Sequence, residues 1–216
     1  MWSMPNPFNT HHYDTVIFDL GQVIVDLNGK AVIDKLKAIS SKADADYKEL
    51  IVSSPLLQLY ETGKITEADF KGGMKDLLEV TISDEEFDNI WNAMLERIPV
   101  DRLELMRSLG ESYQTMILSN TNRIHERRFD KMVGELMPGV KMKDLVHHAH
   151  YSHDLGYRKP DPAIYSVLIE RHELIPERTI FLDDMTENVA AARALGIEAI
   201  QVAYPDQIFE ILKYDE

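Results

Sequence analysis

Asp19, Ser119, Asn120, Lys159, Asp183 and Asp184 are the residues whose types and settings could carry chemistry. Asp19 ends a short apolar run, Thr15-Val16-Ile17-Phe18, and Gly21 follows two residues later. Met116-Ile117-Leu118 runs into Ser119-Asn120-Thr121-Asn122, and Ile180-Phe181-Leu182 runs into Asp183-Asp184. Between these two lies Leu155-Gly156-Tyr157-Arg158-Lys159-Pro160-Asp161-Pro162. Three carboxylates brought together are costly without a cation. Oxygen ligands of this kind suit a hard divalent ion such as Mg²⁺, and a phosphate is then the natural ligand to neutralise and orient. Ser119 and Asn120 offer a hydroxyl and amide donors, and Lys159 offers a point charge. An Asp beside such a phosphate can attack phosphorus and form an aspartyl phosphate, while donors and metal stabilise the charge on the equatorial oxygens. Singly, each feature has an ordinary reading: Asp19 caps a turn, Ser119-Asn120 is a turn or cap, Lys159 is solvated, and Asp183-Asp184 caps a helix. The joint placement is the stronger signal.

That placement needs strands. Residues 15–18, 115–118 and 179–182 are short, continuous and apolar, the pattern of parallel strands buried on both faces. Residues 145–148 form a weaker strand candidate and 197–202 another. Helices are expected over 101–109, closed by Gly110, over 162–171, over 187–195 before Gly196, and over 207–212. Repeated βα units imply a doubly wound, parallel sheet, and in such a sheet the carboxyl ends share one edge, where ligands bind. Asp19, Ser119-Asn120 and Asp183-Asp184 therefore converge. Residues 28–98 read differently, as helices only: 31–40, 47–60 with a break near Pro55, a stripe of Phe70, Met74, Leu77 and Leu78 after an N-cap at Thr66, and a stripe of Phe87, Ile90, Trp91, Met94 and Leu95 after a Ser83–Glu86 capping box. Such a block, set just after the first strand and closed by Pro99, implies a second, smaller lobe. The expected division is a core of residues 13–27 and 99–216, a helical insert of 28–98, and a lead-in of 1–12.

The 216 residues include 37 acidic and 23 basic ones, for a formal charge of −14. This balance argues against a nucleic-acid partner and an anionic membrane surface, but not against a phosphate, which one basic residue, amides and a metal can bind. The absence of cysteine removes disulfides and thiol catalysis and fits a cytoplasmic protein. Residues 1–12 lack the apolar core of a signal peptide, and the His11-His12 pair reads as a bland tail feature. No apolar run is long enough to span a bilayer.

The stretches Phe18-Asp19-Leu20-Gly21-Gln22-Val23-Ile24, Ser119-Asn120-Thr121-Asn122-Arg123, Arg158-Lys159-Pro160 and Phe181-Leu182-Asp183-Asp184, in that order, resemble the motifs of the haloacid dehalogenase-like hydrolase superfamily. The wording is similar to the branch with a helical cap after the first strand, within it to sugar-phosphate phosphatases of the α-glucose-1-phosphate phosphatase type. The resemblance implies an α/β, Rossmann-like core with a small α-helical cap, Mg²⁺ as cofactor, and a small phosphorylated metabolite, such as a sugar phosphate, as substrate. It implies that Asp19 is nucleophile and metal ligand, that the Gly21 carbonyl is a second ligand, and that Ser119 and the amide of Asn120 hold the phosphoryl oxygens. Lys159 would bridge phosphate and Asp19. Asp184 would be the principal metal ligand of the last motif, with Asp183 supporting the metal directly or through water. Asn188 would orient Lys159 or a carboxylate, or else stand exposed on its helix. The cap would close over the site and exclude water. Lys64 reads as a solvated turn residue, and Arg123 as a surface residue able to touch a sugar or a second phosphate. A monomer and a dimer are both compatible.

Gly21 departs from that family's pattern, in which a second Asp two residues past the nucleophile protonates the leaving group and then activates water. Three readings follow. The protein is a phosphatase with a weaker or relocated acid, supplied by Asp26, a metal-bound water or a cap residue. It is a metal-free 2-haloacid dehalogenase, which Asp183-Asp184 argues against. Or it is a catalytically weak binding or regulatory module.

Overall fold

The computed structural model describes residues 12–41 and 46–212. The lead-in expected over 1–12 therefore lies outside the described residues except for His12.

Strand β1 (Thr15–Phe18) occupies the centre of a five-stranded sheet, because it is β-branched and buried along its whole length. Strand β2 (Asp26–Leu27) follows a tight loop. Five helices come next: α1 (Gly29–Ile39), α2 (Tyr47–Val52), α3 (Pro55–Glu61), α4 (Glu67–Leu78) and α5 (Asp84–Trp91). Pro55 starts α3 at its first turn, where its missing N–H is not needed. Thr66 and Asp69 cap α4 reciprocally, whereas at α5 Ser83 accepts from the Glu86 N–H. Strand β3 (Leu95–Arg97) then pairs antiparallel with β2. The expectation that 28–98 is purely helical is thus corrected at 95–97, where β3 lies, while β2 precedes that range. Two short strands escape a reading by periodicity, since neither is long enough to show an alternation.

The chain returns through α6 (Val100–Leu109), β4 (Gln114–Ser119), α7 (Arg123–Leu136), β5 (His148–Tyr151), α8 (Ser152–Leu155), α9 (Pro162–His172), β6 (Thr179–Asp183), α10 (Thr186–Arg193), β7 (Glu198–Gln201) and α11 (Gln207–Ile211). The sheet order is β5-β4-β1-β6-β7, all parallel. Alternate residues of the central strands face opposite layers. Val16, Phe18, Ile117, Ile180 and Leu182 meet α6, α7 and α11, while Ile17, Met116, Leu118 and Phe181 meet α9 and α10. The doubly wound, parallel sheet expected from the repeated βα units is what forms. The strand expected at 145–148 instead starts at His148, after a 3₁₀ turn over Met142–Leu145. Its two histidines and edge position conceal it from an apolar count.

Helices α1–α5 gather around an apolar cluster of their own, in which Phe70 stacks on Tyr60 at 4.3 Å and meets Trp91 edge-on at 5.1 Å. Ile124 of α7 joins that cluster from the other side. Among the described residues, no helix is long and apolar enough to cross a membrane.

Candidate active site

The sheet order puts the switch point at β1, whose neighbours are β4 and β6. Phe18 is in register with Ile117 and Leu182, and the Asp19 N–H continues the ladder to the Leu182 carbonyl at 2.9 Å. Asp19 therefore stands level with Asp183, the last residue of β6, with Ser119 ending β4 on the other flank. The convergence argued from strand ends is present.

Lys159 joins them from the loop before α9. Its Nζ lies 2.8 Å from Asp19 Oδ1 and donates to Asp183 Oδ2 at 2.6 Å and to the Leu118 carbonyl at 2.8 Å. These three acceptors satisfy its three donors. A phosphoryl oxygen reaches Lys159 only in exchange for one of them. Burial works against the ammonium, but Asp19 and Asp183 outweigh it and hold its pKa above the usual lysine value.

Asn120 does something that its position does not announce. Its side chain clamps the Lys159 peptide, accepting from the Lys159 N–H at 2.8 Å and donating to the Lys159 carbonyl at 2.9 Å. The Asn120 side chain is thus committed to the lysine loop. Asp183 is wholly buried. Beyond Lys159 it accepts from the Met185 N–H at 2.8 Å and from Asn188 Nδ2 at 2.9 and 3.1 Å. Of the two settings open to Asn188, orienting a carboxylate is the one observed; the residue is buried, not exposed.

Asp19, Asp183 and Asp184 each offer a carboxylate oxygen within 4.8 Å of the others. Burial is the largest influence on Asp19 and pushes its carboxyl up to about 6; Lys159 pulls it down, and Asp183 and Asp184 push it further up. Asp184 is also raised, by burial and then by Asp183. A site that holds three carboxylates against one ammonium has the donor chemistry of a hard divalent cation. The residues present fit such an ion.

A cavity of about 150 Å³ opens beside these groups. Gly21, Ser119 and Asn120 line it from the sheet edge, Thr121 and His125 from the start of α7, and Ile51, Leu57, Glu61, Trp91 and Met94 from the helical insert and its exit. A Cβ on Gly21 would meet Leu27 Cδ1 at 2.9 Å, so Leu27 takes the space that a side chain there would need. Asp26 is held at 2.6 Å by both Arg97 and Arg102. Burial opposes its charge, yet those hydrogen bonds win and keep its pKa below the usual carboxylate value. It is no proton donor near neutral pH. Lys64 is exposed, and Arg123 pairs with Glu126 at 2.8 Å and with Asp154.

Residues 13–196 match the haloacid dehalogenase-like hydrolase family. The chain belongs to that family. Similar proteins include the D-ribitol-5-phosphate phosphatase of Bacteroides thetaiotaomicron, 29% identical over 197 residues that cover 86% of this chain and 90% of the relative. A HAD family enzyme of the same organism, crystallised with magnesium and inorganic phosphate, superposes with a TM-score of 0.85 at 27% identity, covering 93% of this chain and 100% of that one. A HAD-like family hydrolase of Porphyromonas gingivalis superposes with a TM-score of 0.82 at 25% identity, over 94% of this chain and 100% of the other. This hydrolase chain thus shares its fold with solved members over 93–94% of its length.

Glu61 of α3 was not legible as a site residue. A Glu-Thr-Gly turn in a helical block carries no signature of its own, and its place at the cavity depends on how the insert packs.

Proposed function

We propose that the protein is a phosphomonoesterase that works through an aspartyl phosphate on Asp19 and acts on a small phosphorylated metabolite, a sugar or polyol phosphate. The observation that carries this reading is the meeting of Asp19, Asp183, Asp184 and Lys159 at the sheet edge beside Ser119. An Asp19 oxygen attacks phosphorus. The Ser119 hydroxyl and the Asn120 main-chain N–H hold phosphoryl oxygens, and Lys159, kept in place by Asn120, supplies positive charge that offsets the negative charge on them. Asp19, the Gly21 carbonyl and Asp184 would hold Mg²⁺, with Asp183 supporting; the ion, when bound, neutralises and orients the phosphoryl group. Residues 28–98 act as a cap over a core of 13–27 and 99–216, closing the cavity and excluding water. The relative bound to magnesium and phosphate supports the cofactor and the reaction class, and the D-ribitol-5-phosphate phosphatase supports a carbohydrate ester.

The largely apolar cavity lining calls for less polar monoesters in the assay as well. The test is release of inorganic phosphate from a panel of sugar, polyol and alkyl phosphates, with Mg²⁺ and with chelator. Activity is expected to need Mg²⁺ and to fall to background in Asp19→Asn. Turnover that survives either treatment sinks the reading. Gly21 and the Leu27 side chain against it favour the one competing reading, a binding module, and steady multiple turnover on any ester eliminates that.

A further inference from the structure

Gly21 deprives the proposed reaction of a proton donor two residues past the nucleophile. The other carboxylates nearby are committed: Asp26 to two arginines, and Asp183 to Lys159, Asn188 and the Met185 N–H. Glu61 is not. It is the last residue of α3 and lines the same cavity as Gly21, Ser119 and Asn120. Its Oε2 is buried and, among the described residues, accepts no hydrogen bond, although the Arg158 guanidinium lies 3.2 Å away. A buried carboxyl oxygen that lines the cavity with one ionic partner and no hydrogen bond has unused acceptor capacity for a ligand's donor.

We propose that Glu61 is the general acid and then the general base of the reaction, carried by the helical insert into the role that Gly21 cannot fill. The inference rests on the phosphomonoesterase reading. In the first half-reaction an Asp19 oxygen uses a lone pair to bond to phosphorus. The P–O ester bond breaks, its electron pair stays on the ester oxygen, and the Glu61 proton passes to that oxygen, so an alcohol leaves. In the second half, a water oxygen bonds to phosphorus and one of its protons passes to the Glu61 carboxylate. The Asp19–phosphorus bond then breaks, with its pair returning to Asp19. Ester and water become alcohol and phosphate, and Glu61 ends protonated as it began. The surroundings suit a proton shuttle. Burial pushes the Glu61 carboxyl up to about 7, against the pull of Arg158 and His153, so both its forms are populated near neutral pH.

The test compares two esters on the intact protein with Mg²⁺: a sugar or alkyl phosphate, whose leaving oxygen needs a proton, and p-nitrophenyl phosphate, whose leaving group departs as an anion. Glu61→Gln should lower kcat/KM for the first by roughly a hundred- to ten-thousand-fold. With the aryl ester it should give a stoichiometric burst of nitrophenolate followed by slow turnover, as the phosphoenzyme waits for its base. Glu61→Asp should recover part of the lost rate. Full activity in Glu61→Gln, or an equal loss on both esters with no burst, overturns the inference; equal loss is what a merely structural Glu61 would produce. Wild-type protein inert toward every ester overturns the phosphatase reading with it, whereas an active wild type with an indifferent Glu61→Gln overturns this inference alone.

Discussion

Lys159 Nζ sits between Asp19 and Asp183 with almost no exposure to water, at 2.8 and 2.6 Å. Removing one partner of a buried charge cluster leaves the others uncompensated, a loss of about 3–5 kcal/mol. Lys159→Met in chelator is therefore expected to unfold at markedly lower urea than wild type. Mg²⁺ is expected to raise its midpoint more than that of wild type, because the added cation replaces the lost charge. An unchanged midpoint in chelator would show that the carboxylates are not held by this ammonium. The strand-end positions of Asp19, Ser119 and Asp183-Asp184 were legible because each adjoins a strong local pattern, and Lys159 because it stands in the short Arg158-Lys159-Pro160 stretch between two of them. The second task of Asn120 was not, since an Asn after a strand looks the same whatever it touches; for Asn188 the resemblance offered the carboxylate contact and the contact with Asp183 is the one that forms.

Helix α7 joins the insert to the sheet edge. Asn122 caps it by accepting from the His125 N–H at 3.1 Å, and the His125 ring stacks on Trp91 with its Nε2 3.3 Å from the Trp91 carbonyl. Burial lowers the His125 pKa to about 4. The unfolded chain, with an ordinary histidine near 6.5, binds the extra proton between those values, so stability rises with pH there. The contribution is complete above about pH 6.5 and is lost as pH falls through 4, a change of about 3 kcal/mol. Denaturant unfolding at pH 7 and pH 4.5 should show wild type losing more stability than His125→Gln. His150, lowered likewise, is common to both proteins and cancels. Equal pH dependence would assign the titration elsewhere. This helix went unread in the sequence because charges at Glu126, Arg127, Arg128, Asp130 and Lys131 obscure the helical spacing of Ile124, Phe129, Met132 and Val133; the Asn122 cap is the signal that could have found it.

At the scale of the molecule, polar contacts and a close backbone approach seat the insert on the core among the described residues. Arg127 of α7 makes a two-pronged pair with Glu67 of α4, both bonds 2.8 Å, and Arg158 faces Glu61. Gly63 has φ +64°, and a Cβ on it would lie 2.3 Å from the His153 carbonyl oxygen, a backbone atom that cannot swing aside. Gly63→Ala should therefore lower stability by about 1–3 kcal/mol and raise KM by displacing the cavity wall that bears Glu61. Thermal unfolding and steady-state kinetics measure the two effects, and a wild-type KM would show that this approach does not set the seating.

The parallel α/β layering, and which residues end its strands, follow from local sequence. Short β-branched runs, helical stripes and caps are local patterns, and parallel connection alone forces the strand ends to one edge. What those residues touch depends instead on three-dimensional packing. The register sets Asp19 level with Asp183, a loop 41 positions from Leu118 delivers Lys159, and the packing of the insert on α7 and α8 brings Glu61 to the cavity beside Gly21. Such meetings depend on how whole faces fit together, and no window of neighbouring residues contains that information.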